Sequence, residues 1–313
     1  MNNSVRVFAP ASVANVAVGF DILGFALDSP GDEITVSFSD RESGGLKITA
    51  IHGADNKLPL VVEKNTAGFA AQQLLRHLGK EDLAIDMEIH KKMPFGSGLG
   101  SSAASAAAGV MAVNALLDHP LSKEEILHFA VLGEQIADGA YHADNVAPSL
   151  LGGMILIRNN EDLDVHQLPI PDDLYAAVVH PEVEVLTKDA RDVLSDKICL
   201  KQSIEQGGNL AAFILGLMKA DYDLLSRSLK DVIIEPQRAK LIPQFYEVKN
   251  AAISASALGC SISGAGPSIF ALCKGLETAQ KVGAAMEKAF TQAQIENQLY
   301  ISKINQHGAV VIE

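Results

Sequence analysis

The sequence predicts an α+β fold divided into two lobes, and three observations support that prediction. The chain has 313 residues, twice the ~150 residues of a typical domain. Strand-like and helix-like segments mix without the regular alternation that builds a parallel α/β sheet. A charged stretch with two prolines, residues 158–171, divides the chain near its middle. We therefore expect an N-terminal lobe over residues 1–165 and a C-terminal lobe over residues 166–313; which lobe holds the last strand stays open.

The first half of the chain combines short strands with longer helices. Alternation of apolar and polar residues predicts strands over residues 5–9, 33–38, 46–51, 83–89 and 154–157. Helices are expected over residues 65–78, 101–117 and 122–137. The last of these opens with Ser122 followed three residues later by Glu125, which is the pattern of a capping box. Residues 138–148 are polar and are expected to form a loop.

The second half continues the same mixture of elements. Strands are expected over residues 175–180, 268–272 and 309–312. Helices are expected over residues 209–220, 222–229 and 278–292, with a segment of small residues at 254–266. Because strands and helices follow one another irregularly, both lobes are expected to be α+β.

The charge balance excludes two classes of partner. The chain has 25 basic and 38 acidic residues, a net charge of −13. A surface this acidic repels phosphate backbones and anionic lipid, so we expect neither nucleic acid nor a membrane as a partner. The N-terminus lacks the apolar stretch of a signal peptide. Three widely spaced cysteines, Cys199, Cys260 and Cys273, fit no zinc pattern or disulfide framework, so we expect a cytoplasmic protein.

The clearest local motif is a glycine-rich turn between a strand and a helix, at residues 94–104. Its glycines would let backbone N–H groups approach an anion, and the helix behind adds the positive end of its dipole. No lysine stands between Gly96 and Ser102, which excludes a Walker A loop. Gly96, Gly98 and Gly100 occupy alternate positions, which excludes a dinucleotide fingerprint. The remaining prediction is an anion-binding turn of another type.

Two further segments contain polar or small residues in unusual settings. Residues 259–268 form a second glycine turn that leads into an apolar strand and could pack its backbone tightly against a neighbouring loop. Residues 10–24 contain Asn15 and Asp21 within an otherwise apolar segment. Each of these polar side chains needs a partner if it is buried.

Taken in order, these three segments resemble the three motifs of the GHMP family of small-molecule kinases. That resemblance implies a two-lobed fold, with an N-terminal lobe like domain 2 of ribosomal protein S5 and a ferredoxin-like C-terminal lobe. The first motif, Pro-Ala-Ser-x-Ala-Asn-x-x-x-Gly-Phe-Asp, is similar to that of the family members that phosphorylate L-homoserine. The resemblance implies ATP and Mg²⁺, O-phospho-L-homoserine as the product, a place in threonine biosynthesis, and a homodimer.

The resemblance also implies the residues of the nucleotide site. The glycine loop would wrap the ATP phosphates with Pro94, Gly96, Ser97, Gly98, Leu99, Gly100, Ser101 and Ser102. Further nucleotide contacts would come from Gly264 and Gly266 in the third motif, from Asn65, and from Lys91 or its neighbour Lys92. Ser102 and Glu134 would hold Mg²⁺, which prefers hard oxygen ligands.

The substrate itself indicates what its binding site must contain. An α-carboxylate is best held by arginine, and Arg191 and Arg238 match the family's carboxylate-binding positions, with Thr187 close to the first. The ammonium group needs an anion, for which Asp21 is the match. By the same resemblance, Asn15, His142 and Asn145 would line the pocket.

The residue at the family's catalytic-acid position is unusual. Counting back from Gly152 and Gly153, that position falls on Asn145, which cannot accept a proton at neutral pH. We therefore expect Asn145, Ser102 and Glu134 to be the catalytic residues, with no side-chain base, and Asp144 to be a structural or electrostatic neighbour.

Two other functions are compatible with the same motifs. A kinase for mevalonate or a related alcohol would use an aspartate and an N-terminal lysine, but no lysine precedes Lys47. A non-catalytic ligand sensor would be expected to lose its phosphate loop or metal residues, and both are intact in this sequence.

Overall fold

The computed structural model describes residues 3–55, 57–139 and 141–313 and places them in two α+β lobes. The first lobe contains a sheet of seven strands and the second lobe contains a sheet of four strands. The strands are β1 (Ser4–Ala14), β2 (Leu23–Phe38), β3 (Leu46–His52), β4 (Ile85–His90), β5 (Met154–Asn159), β6 (Asp164–Leu168), β7 (Leu174–Pro181), β8 (Gly259–Ile262), β9 (Ile269–Lys274), β10 (Asn297–Lys303) and β11 (Val310–Val311).

The helices fall into two groups by length. The longer ones are α1 (Thr66–His77), α2 (Ser101–Leu116), α3 (Lys123–Asp138), α6 (Leu200–Lys219), α9 (Phe245–Ser254) and α10 (Leu276–Gln292). The shorter ones are α4 (Val146–Leu151), α5 (Thr187–Asp192), α7 (Tyr222–Ser228) and α8 (Glu235–Arg238). Among the described residues, no helix is both long enough and apolar enough to cross a membrane.

Long antiparallel strands organise the first sheet. Its main path runs β11-β1-β2-β4-β3, and β2 also pairs with β5, which pairs with β6. All neighbours are antiparallel except β3 and β4. The last strand, β11, therefore lies in the first sheet, beside β1. The first sheet also continues beyond position 165, because β6 pairs with β5 over the charged stretch that the sequence suggests as a boundary.

The second sheet has the strand order β10-β7-β9-β8, and all its pairs are antiparallel. In chain order these strands are the fourth, first, third and second of the lobe. A helix precedes β8, and α10 lies between β9 and β10. This is the β-α-β-β-α-β arrangement of a ferredoxin-like unit, so the expected α+β architecture of the C-terminal lobe is confirmed.

The Ala-rich helix α2 lies at the centre of the first lobe. Thirteen of its 16 residues are buried, and it packs between α1, α3, β1 and β2. A helix that is apolar all round is stable only when neighbours cover every face. Small alanine side chains allow those neighbours to approach closely. The burial fixes the start of α2, and with it the glycine turn that precedes the helix.

Most predicted elements are present, with two kinds of difference. The first two strands are longer than expected, because β1 continues to Ala14 and β2 begins at Leu23. Seven elements have no counterpart in the prediction: α4, α5, α8, α9, β6, β8 and β10. The polar loop expected over residues 138–148 gives way to α4 at Val146.

Candidate active site

A single cleft of about 760 Å³ brings the three motifs together. It lies where the glycine turn before α2, the turn after β1 and the turn after β8 meet. Most of the predicted site residues line it: Asn15, Asp21, Asn65, Lys91, Gly96, Ser97, Gly98, Gly100, Ser101, Ser102, Glu134, His142, Asn145, Thr187, Arg191, Arg238, Gly264 and Gly266. Of the predicted set, Pro94, Leu99 and Lys92, the alternative to Lys91, are not among the lining residues.

The glycine turn before α2 is fitted to the other two motifs by backbone contacts. Gly98 and Gly100 have φ values of +75° and +67°, in the left-handed region that glycine tolerates best. A Cβ atom at Gly98 would lie 2.4 Å from the Ser263 carbonyl oxygen, and one at Gly100 would lie 2.2 Å from Ser12 Oγ. Ser263 also donates a hydrogen bond of 2.6 Å to the Gly98 carbonyl. Glycine is therefore required at both positions.

The start of α2 provides an anion site. Its N-cap is Gly100, which has no side chain to cap the helix, and Ser101 and Ser102 in the first turn line the cleft. The first N–H groups of a helix lack intrahelical acceptors, and the helix dipole is positive at this end. A phosphate group is well suited to this position.

Two oxygen-bearing side chains meet beside that helix start. Ser102 Oγ on α2 donates a hydrogen bond of 2.7 Å to Glu134 Oε1 on α3. A hydroxyl and a carboxylate are hard ligands, and Mg²⁺ is usually held by one or two such groups together with phosphate oxygens and waters. The donor set present in the cleft therefore fits the metal that the resemblance implies.

Asn15 joins the first motif to the third. It has a left-handed backbone, with φ of +71°, and its Nδ2 donates a hydrogen bond of 2.8 Å to the Gly264 carbonyl. Its Oδ1 accepts a hydrogen bond of 3.0 Å from the backbone N–H of Asp21. The buried amide thereby fixes the turn that carries the Asp21 carboxylate into the cleft.

Charged groups from both lobes converge at one end of the cleft. Arg191 on α5 donates two hydrogen bonds, of 3.3 and 3.2 Å, to the two carboxylate oxygens of Asp21. His142 Nε2 lies 3.8 Å from Asp21 Oδ2. Its Nδ1 is buried and has no hydrogen-bond partner among the described residues. This end of the cleft can therefore recognise a ligand that carries both charges.

Arg238 on α8 is the most buried cation of this group. Its Nε donates to the Ala190 carbonyl at 2.7 Å and its Nη1 to the Gly264 carbonyl at 3.2 Å. Burial, followed by the charge of Arg191, lowers the pKa of Arg238 to about 10. The guanidinium stays charged at neutral pH. It also lies 4.9 Å from the centre of the Phe20 ring, within the range of a cation–π contact.

Asn145 lies between the phosphate turn and this charged end. It is the N-cap residue of α4, and its Oδ1 accepts a hydrogen bond of 2.8 Å from Ser12 Oγ. The same oxygen would be 2.8 Å from a Cβ atom at Gly100. Its neighbour Asp144 is buried, and the Asp144 carboxylate helps to keep the Arg238 guanidinium charged.

A buried cluster under the start of α2 was not predicted from the sequence. Asp32 on β2 is fully buried and ion-paired with Lys91. The Asp32 carboxylate also accepts hydrogen bonds from the Lys92 N–H at 2.8 Å and from Ser101 Oγ at 3.0 Å. Lys91 Nζ donates in turn to the Ser101 carbonyl at 2.8 Å and to Ser105 Oγ at 2.7 Å. Burial lowers the pKa of Lys91, and the charge of Asp32 opposes that change.

Several residues expected to contact the nucleotide also have partners within the protein. The Lys91 ammonium faces Asp32 and the first turn of α2, while Lys92 Nζ pairs with Glu33. Asn65 caps α1 by accepting from the N–H groups of Ala67 and Gly68. The Leu99 side chain is fully buried, and its carbonyl accepts from the Ser12 N–H. Pro94 is half-buried, outside the cleft lining.

Comparison with known proteins places the chain and its fold in one class. Residues 64–153 match the model of the GHMP kinases N terminal domain, and residues 211–292 match that of the GHMP kinases C terminal domain. A mevalonate kinase from L. major shares the fold, with a TM-score of 0.72 at 16% identity, 95% of each chain being covered.

Two relatives are much more similar. A homoserine kinase of Chlorobium phaeobacteroides is 46% identical over 99% of both chains. The crystal structure of a homoserine kinase from Cytophaga hutchinsonii is 52% identical, with a TM-score of 0.97 over 100% of this chain and 98% of that one. The chain therefore belongs to the GHMP kinases and, within them, to the homoserine kinase family.

Proposed function

We propose that this protein transfers the γ-phosphoryl group of ATP to the side-chain hydroxyl of L-homoserine, giving O-phospho-L-homoserine for threonine biosynthesis. One observation carries the proposal above all others. A single cleft joins a glycine turn at a helix start to an end that contains Asp21, Arg191 and Arg238. The first part suits phosphates and the second suits the two charges of an amino acid.

The nucleotide would lie against the wall of the cleft that is formed by the glycine turn and the start of α1. Backbone N–H groups at the start of α2 would receive the phosphates. Apolar side chains in the same wall suit the adenine base: Leu58, Pro59, Phe95 and Ile136. We assign Asn65 and Lys91 a positioning role, because the Asn65 side chain forms hydrogen bonds at the start of α1 and the Lys91 side chain forms one at the start of α2.

We propose that Ser102 and Glu134 hold Mg²⁺. The ion, when bound, neutralises the charge of the transferred phosphoryl group. The support for this assignment is the hard-oxygen pair 2.7 Å apart beside the anion site. The protein's own contribution is rigid placement, since α2 is packed on all sides and α3 lies against it.

The amino acid would lie with its carboxylate toward Arg238 and Arg191 and its ammonium toward Asp21. In the structure Arg191 already forms an ion pair with Asp21. A zwitterion bound between them would place its carboxylate against Arg191 and its ammonium group against Asp21. Arg238 is held by two backbone carbonyls, which leaves its guanidinium fixed in direction. This pre-organisation reduces the entropy that binding would otherwise cost.

We propose that the transfer proceeds without a side-chain base. Asn145 would orient the hydroxyl, because its amide is fixed by Ser12 at the junction between the phosphate turn and the charged end. The hydroxyl proton would leave late, to phosphate or water. Positioning and charge neutralisation account for most of the catalysis when the transition state is loose. Asp144 would act through Arg238, whose charge it supports.

The Asp144→Asn variant tests this part of the proposal. A kcat within about tenfold of wild type is expected, because a true general base contributes about 10²–10⁴-fold. The fold is checked by thermal melting, and the homoserine KM shows whether the substrate still binds. A loss beyond about 10²-fold with normal homoserine binding would make Asp144 the base.

The proposed substrate is tested by ADP release with Mg-ATP and a panel of alcohols. L-Homoserine should be turned over, whereas mevalonate and galactose should not. Omission of the alcohol gives the background of ATP hydrolysis. Turnover of mevalonate alone would support another GHMP kinase activity, and no ADP release with any alcohol would support a ligand sensor.

We further propose that the protein acts in the cytoplasm as a homodimer. Three free cysteines, of which Cys199 is exposed, suit a reducing compartment. The support for a dimer is an apolar face that helix α6 leaves exposed.

A further inference from the structure

Helix α6 is apolar on two opposite faces. One face packs against the protein through buried Phe213, Gly216 and Leu217. On the opposite face, four large apolar side chains are exposed: Leu200 (76%), Ile204 (67%), Leu215 (43%) and Met218 (62%). These positions are separated by four, eleven and three residues, which places them along a single stripe of the helix. A helix face formed by large apolar side chains is normally covered by a neighbour.

The middle of this stripe contains small residues that the single chain does not require. Gly207, Gly208 and Ala211 lie on the same exposed face, between the two pairs of large side chains. Apart from the adjacent backbone of α6 itself, no atom of the described residues would lie within 4 Å of a Cβ atom at Gly207 or Gly208. Glycine in a helix interior destabilises the helix relative to alanine. Glycine at these positions would be explained if the backbone of another helix lay close to this part of α6.

The order of residues along the stripe reads nearly the same in both directions. Two large side chains, Leu200 and Ile204, precede the small pair Gly208 and Ala211, and two more large side chains follow. A two-fold axis that passes between residues 209 and 210, perpendicular to the helix, would therefore place the large side chains of one copy against the large side chains of the other. It would likewise place the small residues of one copy against the small residues of the other. Self-complementarity of this kind is what an isologous interface requires.

We propose that α6 forms the centre of a two-fold interface with α6 of a second copy of this chain, the two helices running antiparallel. Ile204 packs against Leu215 of the partner subunit and Leu200 against Met218 of the partner subunit. The helices approach most closely at Gly208 and Ala211. The inference rests on the homodimer proposed above and is independent of the phosphoryl-transfer chemistry.

Sedimentation velocity over a concentration series tests the interface. Wild type should sediment as a dimer, and Ile204→Glu should raise the dimer dissociation constant at least about tenfold, because it places a charge in an apolar contact. The matched control is Ile253→Glu on α9, whose side chain is 47% exposed and lies outside the stripe. This control should leave the dimer unchanged. Thermal melting shows that both variants fold.

Cysteine cross-linking tests the antiparallel register. Ile204→Cys and Leu215→Cys are made separately in a Cys199→Ser background, since Cys199 is the exposed native thiol. The two variants should cross-link when mixed. Neither should cross-link alone, because equivalent residues would lie about 16 Å apart along the helices. Cross-linking of each variant to itself would overturn the antiparallel arrangement.

The remaining outcomes also decide the question. A wild-type dimer that Ile204→Glu leaves intact would overturn the α6 interface while keeping the homodimer. A wild-type chain that stays monomeric throughout the series would overturn both. Homoserine-dependent ADP release, measured on the same samples, reports separately on the proposed function.

Discussion

At the residue scale, Ser102 and Glu134 form the pair of oxygens proposed to hold Mg²⁺. Ser102→Ala removes the hydroxyl, and Glu134→Gln keeps the size of the side chain but removes its charge. We expect both changes to raise the Mg²⁺ concentration needed for half-maximal activity by about tenfold or more. The measurement is a titration of activity with Mg²⁺ at saturating ATP and homoserine.

The control for this pair is Glu125→Gln, which lies on the same helix, α3, in its exposed capping box. It should lower thermal stability slightly and leave the Mg²⁺ requirement unchanged. Wild-type behaviour of Glu134→Gln at limiting Mg²⁺ would remove Glu134 from the metal site.

Recognition of the α-carboxylate depends on Arg191 and Arg238. Replacing either by methionine should raise the homoserine KM roughly tenfold to a hundredfold, since a charged hydrogen bond is worth about 1.5–3 kcal/mol. The ATP KM should change little. Steady-state kinetics with each substrate varied in turn provides the measurement, and Arg227→Met on α7 is the control at an exposed arginine. Unchanged homoserine kinetics in both variants would refute the assignment.

Many of the site residues could be predicted from the sequence because glycine turns are local features. The requirement for glycine at positions 98 and 100 follows from backbone geometry and close approach. Asp32 and Lys91 could not be paired in this way. They are 59 residues apart, and their contact depends on the alignment of β2 with the turn after β4. Ser12 was missed for the same reason, because its partner, Asn145, is 133 residues away.

At the scale of elements, the Asp32–Lys91 cluster ties β2 and the glycine turn to the start of α2. Asp32→Asn would leave the buried Lys91 ammonium without its counter-charge. Breaking a buried ion pair by removing one partner costs about 3–5 kcal/mol. We expect a large fall in melting temperature and, in the folded fraction, an ATP KM that rises more than the homoserine KM.

The split between the two KM values separates positioning from general stability. Loss of stability alone would lower the amount of active enzyme and leave both KM values unchanged. Asp164→Asn on β6 is the matched control, because its ion pair with Arg158 is exposed. Exposed ion pairs contribute little to stability, so this control should stay close to wild type. Equal KM values in Asp32→Asn and wild type would contradict the positioning role.

Five of the elements that the sequence did not predict, namely β6, β10, α4, α5 and α8, depend on tertiary contacts. β6 and β10 contain polar and charged residues, and each is extended by pairing with one neighbouring strand. Helices α4, α5 and α8 have six residues or fewer, too few to show a helical period. Such elements form through tertiary contacts, which override local preference.

At the scale of the whole molecule, stability should fall in mild acid. His180 on β7 is buried, its Nδ1 lies 3.2 Å from Ser268 Oγ, and burial lowers the pKa of His180 below its ordinary value of 6.5. The unfolded chain therefore binds a proton at a higher pH than the folded one. The contribution is fully present above the unfolded pKa and is lost as the pH falls from there toward the folded pKa.

Thermal melting between about pH 7.5 and pH 5.5 measures this effect. The melting temperature of wild type should fall across that range, and His180→Gln should make the fall smaller. His307→Gln, a change at an exposed histidine, should follow wild type. A pH profile of His180→Gln identical to that of wild type would show that His180 does not contribute.

If the proposed function is correct, the cleft delivers the γ-phosphoryl group of ATP to the hydroxyl oxygen of L-homoserine. Phosphorus–proton correlated NMR of the reaction products identifies the oxygen that becomes phosphorylated. Since the arginines hold the carboxylate and Asn145 lies beside the phosphate turn, we expect coupling between phosphorus and the protons on the hydroxyl-bearing carbon. Phosphate released without any phosphorylated homoserine, or a phosphoryl group on the carboxylate, would contradict the account.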